Sequence, residues 1–180
     1  MKKIIAILLL ALTVTLSCER DDICSGETPT TPHLIIAFLD LTTITLESPK
    51  NVTKFRVETV DDMRVLEDYN GANKADKVIL PLKTNDSITK FRFYKDYAIS
   101  NNGTPDDTSD DFITGNPDII TIEYATENVY VSRACGYKSI FKNITITVED
   151  DGDNWIQVIQ PVNDNQTIEN EENPHFNIFH

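Results

Sequence analysis

From Thr53 to Thr59 ("TKFRVET") apolar and charged side chains alternate: Phe55, Val57 and Thr59 fall on one face of an extended chain, Lys54, Arg56 and Glu58 on the other. The same two-residue period returns in "TKFRFYK" with Phe91 and Phe93 inward, in "IITIEYA" with Ile120, Ile122 and Tyr124, and in "NITITVED" with Ile144, Ile146 and Val148. Such segments are strands with one buried and one wet face. Further strands are predicted at "HLIIAFLD", "KVILPLK", "NVYVSRAC", "WIQVIQ" and the closing "HFNIF", separated by the turn-forming clusters "LESPKN", "KTND", "SNNGTPDDTSDD" and "DDGDN". Val60 to Tyr69, "VDDMRVLEDY", fits a short helix or a strand with turns equally well.

Eight or nine short strands with no helices between them predict an all-β fold, an antiparallel, Ig-like β-sandwich. Pro81 inside "VILPLK" lacks the N–H a central strand needs, which places that segment at an edge or a bulge. Trp155, the single tryptophan, is expected to pack on the core near a sheet end rather than to stack on a ligand. Neither a repeat nor an internal boundary interrupts residues 33–180, which read as one domain.

The amino-terminal pattern is different. Lys2 and Lys3 precede an apolar run, Ile4 to Leu16, broken only by Thr13 and Thr15. It is short for a membrane span and is followed at once by charges, so residues 1–17 read as a secretory signal peptide. Ser17 and Cys18 at its end resemble a bacterial lipoprotein lipobox, in which the cysteine thiol is diacylglycerated and becomes the new amino terminus; Thr15 departs from the Leu, Val or Ile preferred there. The alternative is an ordinary secretory cut with Cys18 merely nearby. Two or three acyl chains at about 0.8 kcal/mol per buried methylene would hold a soluble domain on a membrane. Residues 18–32 then form a lipidated amino terminus and tether. Its Glu19, Arg20, Asp21 and Asp22 look like the export signals that send lipoproteins of Bacteroidota to the outer leaflet, and serve equally as a solvated linker. The expected location is the outer membrane, on its periplasmic face or at the cell surface.

Charge narrows the partners. The chain carries a formal −13, and without residues 1–17 it has 14 basic against 29 acidic residues, a net −15. Phosphate backbones repel such a chain, and no basic patch with interleaved aromatics offsets this, so nucleic acid is excluded as a partner. Cys24 and Cys135, outside the cytosol, are most simply a disulfide. The competing reading is a free nucleophilic Cys135 in "SRACGYK", its pKa lowered by Arg133 and Lys138, but no histidine among His33, His175 and His180 is placed beside it by the sequence.

Other chemistry is thin. The acidic turns Asp106 to Asp111 and Glu149 to Asp153 offer carboxylates but not the spacing of a known calcium loop. His175 and His180 lie an odd number of positions apart, on opposite faces of a strand, and a metal site would need a third ligand. "DSI" resembles the acceptor triplet of the Bacteroidota O-glycosylation system, which would place sugar on Ser87. No catalytic residue, metal site or cofactor is predicted.

"SCERDDIC", "TPTTPHLIIAF", "ILPLKTNDSITKFRF", "VYVSRACGYKSIFKNITITVEDDGDNWIQ" and "HFNIFH" together resemble a family of uncharacterised Bacteroidota lipoproteins defined only as a domain of unknown function, family 6452. The resemblance implies a lipid anchor at Cys18, recurring cysteines at Cys24 and Cys135, and a β-rich domain. It implies no activity. The leading expectation is a binding or accessory module of the envelope, not an enzyme, held by lipid and presenting loops or a sheet edge to an outer-membrane protein or a glycan. The alternatives are an envelope hydrolase whose site forms only in three dimensions, from turn carboxylates with Tyr137 or Arg133, and a structural subunit exchanging its terminal strand in a surface assembly.

Overall fold

The alternation in the sequence decides which faces are buried, and nine strands follow from it among the described residues. The computed structural model describes residues 24, 26, 28 and 30–180; the signal peptide and Cys18 lie outside them. The strands are β1 (Leu34–Leu39), β2 (Val52–Thr59), β3 (Val65–Ala75), β4 (Lys77–Leu80), β5 (Ile88–Ser100), β6 (Phe112–Ser132), β7 (Gly136–Val148), β8 (Val158–Pro161) and β9 (Phe176–Phe179). One 3-10 turn, Leu41–Thr43, follows β1 and is capped by the Asp40 carboxylate. The stretch that admitted a helix or a strand is a turn leading into β3.

Two sheets face each other, in the orders β4-β1-β9-β8 and β3-β2-β5-β6-β7. All pairings are antiparallel except β1 with β9, which runs parallel from Ile36↔Phe176 to Leu39↔Phe179. The closing strand β9 therefore sits inside its sheet, with both edges occupied. Prolines sit at the edges: Pro81 directly follows edge strand β4, and Pro161 closes edge strand β8.

Aromatic rings join the two sheets. Phe38 of β1 packs edge-on against Phe55 of β2 at 5.1 Å, and Phe55 against Phe93 of β5 at 5.3 Å. All three are fully buried, as are Phe91, Ile120 and Ile122, so the inward residues of the sequence pattern form the core. Each such side chain removed from water contributes roughly 1.5–3 kcal/mol. Trp155 lies in the same cluster, with its indole N–H donating to the Phe93 carbonyl at 3.4 Å. A charged side chain departs from the alternation. Glu58, expected on the wet face, is 5% exposed because Arg92 (2.7 Å), Arg56 (3.4 Å) and the Tyr94 hydroxyl (3.2 Å) close over its carboxylate.

The long strands β5, β6 and β7 outgrow the sandwich at two ends. The β5–β6 ladder continues past the last β2 rung at Tyr94 to Ser100↔Phe112. A bulge between Lys95 and Ala98 redirects it, with Asp96 at a φ of 56°. Gly115 lies opposite at a φ of 115°; a Cβ there would stand 2.8 Å from the Lys95 carbonyl oxygen and 3.0 Å from that of Asp96. Gly115→Ala should therefore cost about 1–3 kcal/mol through backbone strain. Urea unfolding should show a lower midpoint with an unchanged slope, and an unshifted midpoint would contradict the close approach.

Candidate functional site

Beyond the last β5–β6 rung at Ile88↔Glu123, β6 pairs with β7 alone, up to the rung Ser132↔Gly136. The turn at the end of this hairpin holds Cys135, which is bonded to Cys24 across 111 residues of chain with Cα atoms 5.0 Å apart. The predicted disulfide is present, and Cys135 is not a free nucleophile. The Ser132 hydroxyl accepts the Cys135 N–H at 3.0 Å and fixes the turn. Downstream of Cys24, Thr31 lies against β7, and its hydroxyl accepts the Ser139 N–H at 3.0 Å. Tyr130 and Tyr137, directly opposite each other near the tip, stack edge-to-face at 5.5 Å. They are 58% and 69% exposed. Arg133 is exposed beside them, and Lys138 Nζ donates to the Glu169 carbonyl at 3.0 Å.

The opposite end of β6 carries the other exposed apolar group. Ile99 and Ile113 form a cross-strand pair, and Phe112 occupies the next rung on the other face. Their exposures are 61%, 48% and 51%. The acidic turn between them uses its carboxylates internally: Asp110 accepts from Thr104 Oγ1 at 2.8 Å and from Asn102 Nδ2 at 3.1 Å, and Asp107 accepts the Ser109 N–H at 2.9 Å. These bonds lower the pKa of Asp107, through Ser109, and of Asp110, through Asn102 and Thr104. Both stay charged at neutral pH, and the second acidic turn likewise holds its own backbone, with Asp150 accepting the Gly152 N–H at 3.1 Å.

A cleft of about 410 Å³ opens where β2 ends and β5 begins. Leu82 and Phe91 form its floor, and Asp61, Asp62, Arg64, Lys83 and Lys90 its rim. The rim charges are paired: Lys83 with Asp61 and, at 3.6 Å, Asp86; Arg64 with Asp62 at 3.8 Å; Lys90 with Glu149 at 2.9 Å. A hydrogen bond from Thr59 lowers the pKa of Asp62, and the bond to Asp61 raises that of Lys83. Both shifts favour the charged form, whereas a group that exchanges protons near neutrality must be pushed the other way. Ser87, in the turn beside the cleft, is exposed.

Sequence reasoning missed one buried carboxylate besides Glu58. Asp118, fully buried on the inward face of β6, accepts the N–H groups of Ile156 (2.8 Å) and Trp155 (3.4 Å), and burial raises its pKa. It shares the inward face with Ile120 and Ile122, and only its place in that alternation could have revealed it. His175 and His180 do not converge. His175 Nδ1 accepts the Ile35 N–H at 3.0 Å and its Nε2–H donates to the Asn170 carbonyl at 3.0 Å, whereas His180 packs edge-on against Trp155 at 5.4 Å. No cluster of three His, Cys, Asp or Glu side chains that could hold a metal ion occurs among the described residues.

Two experiments bear on these arrangements. Replacing both Cys24 and Cys135 by serine should lower stability by up to about 5 kcal/mol by the chain-entropy estimate. For a chain of this size that is a calorimetric loss of up to roughly 10–20 °C in Tm; an unchanged Tm would mean that the bridge constrains nothing. Burial lowers the pKa of both His175 and His180 from 6.5. The unfolded chain then binds more protons below 6.5 than the folded one, so stability present above 6.5 is lost as pH falls. The loss is at most about 1.4 kcal/mol per pH unit per histidine. His175→Gln should flatten the decline in Tm between pH 7.5 and 5.5, and an identical slope in the variant would count against a buried neutral imidazole.

Residues 51–180 match the model of a family of unknown function (DUF6452), a span that takes in β2 to β9 and leaves Cys24 and β1 outside it. No curated protein and no solved structure matches the chain.

Proposed function

The chain belongs to this family of unknown function, DUF6452, and we propose that it is a lipid-anchored binding module of the cell envelope. Cys18 carries the acyl groups, the mature protein resides at the outer membrane, and the domain binds an envelope protein rather than catalysing a reaction. The observation that carries this reading is the placement of Ile99, Phe112 and Ile113. They are exposed at one end of β6 while the cystine that leads to the anchor closes the other.

Ile99 and Ile113 on one face of the ladder and Phe112 on the other each leave about half or more of their surface exposed, and a partner that covers it gains roughly 25 cal/mol per Å² of apolar area. The acidic turn beside them selects the partner. Asp107 and Asp110 are held charged, so a basic rim around an apolar centre is the complementary surface. A protein surface fits this description better than a glycan, which would call for an exposed aromatic platform with polar groups around it. The cleft supports the rival hydrolase reading only weakly, because its rim charges are satisfied by one another. The strand-exchange reading loses support from β9, whose two edges are already paired.

A photo-crosslinking residue placed at Ile113 of the full chain, in intact envelopes, should capture one dominant protein. Phe112→Asp combined with Ile99→Asp should abolish the capture while Tm holds, since these side chains lie outside the core. A scatter of neighbours, indistinguishable from that captured by a probe at exposed Thr126, far along β6 from Ile113, would overturn the binding site.

A further inference from the structure

The geometry points to the tip of the β6–β7 hairpin as a membrane-contacting element: Tyr130 and Tyr137 sit in the headgroup zone of the bilayer that holds the anchor. The inference rests on acylation of Cys18, and it adds which end of the domain faces the lipid.

Chain length supplies the first argument. Cys24 follows Cys18 by six residues, which reach at most about 20 Å when fully extended. The cystine then passes that restraint to the turn at Cys135, whose Cα is 5.0 Å from that of Cys24. An anchor at Cys18 without the bridge would leave the hairpin on a leash about twice as long, running to Thr31, whose hydroxyl accepts the Ser139 N–H. With the bridge, the hairpin tip is the part of the folded domain bound most closely to the acyl chains.

The tip has the chemistry for that position. Tyrosine places an apolar ring and a polar hydroxyl at opposite ends of one side chain, which suits the boundary between acyl chains and water. Here two tyrosines form a rigid cross-strand pair with more than half of each side chain exposed, an arrangement that the fold itself does not use. Exposed Arg133 at the turn can meet a lipid phosphate. The acidic turn and the Ile99, Phe112 and Ile113 group lie at the far end of the 21-residue strand β6, away from the bilayer.

The test uses the full acylated chain in vesicles of phosphatidylethanolamine and phosphatidylglycerol doped with a phospholipid that carries a diazirine near its glycerol backbone. After illumination, lipid adducts are mapped by peptide mass. The hairpin peptide with Tyr130 and Tyr137 should be labelled roughly tenfold more than the peptide with Ile99, as interfacial placement of the tyrosines requires. Tyr130→Ser with Tyr137→Ser should lose most of the hairpin label while the protein stays vesicle-bound. Even labelling over the domain, or label only on the anchor peptide of an acylated protein, overturns the inference and leaves the anchor intact. An absent acyl mass on Cys18 overturns both.

Discussion

The Cys24–Cys135 bond is the constraint on which the functional organisation of this chain depends. The sandwich core holds itself together through Phe38, Phe55, Phe93 and Trp155. None of those contacts reaches the end of the β6–β7 hairpin, which extends past the last β5 rung as a two-stranded ribbon. A ribbon of that kind is marginal in water without further support. Near the core, fully buried Phe141 pairs with Ile168; toward the tip the support comes from the cystine and from Thr31, whose hydroxyl accepts the Ser139 N–H. The amino terminus and the hairpin order each other.

From that restraint follows a domain with two unlike ends. Both are built on β6, whose 21 residues serve the core in the middle and leave it at each extremity. Toward the cystine the exposed side chains are tyrosines with a neighbouring arginine; toward the β5–β6 turn they are Ile99, Phe112 and Ile113 beside charged aspartates. Gly115 and the Asp96 bulge sit where the second end runs on past β2. The proposed envelope role would use this division, with one end toward lipid and the other open to a partner.

The two-residue period made most of the fold legible. Phe55, Val57, Phe91, Phe93, Ile120 and Ile122 are buried as the alternation requires, and Pro81 marks an edge strand. What the period could not convey is pairing between distant segments. The parallel insertion of β9 beside β1 depends on contacts across nearly the whole chain, and "IITIEYA" and "NVYVSRAC" merge into one strand only because β7 is long enough to pair with both. Glu58 and Asp118 escaped notice for a related reason. A carboxylate reads as solvated unless its cations or backbone donors are known, and these come from β5 in one case and from the Trp155 segment in the other. The disulfide was legible from the cysteine count together with the expectation of secretion. The tyrosine pair was not, since Tyr130 and Tyr137 become neighbours only through the hairpin register.

Hydrogen exchange on the oxidised and the reduced protein tests the central constraint most directly. If the cystine orders the hairpin end, reduction should accelerate exchange at amides from 129 to 139 while that of Phe141, bonded to the Ile168 carbonyl at 3.2 Å, and those of β1 and β9 keep their protection. Unchanged protection in the hairpin after reduction would contradict the account, because the ribbon would then stand without the bond that ties it to the amino terminus.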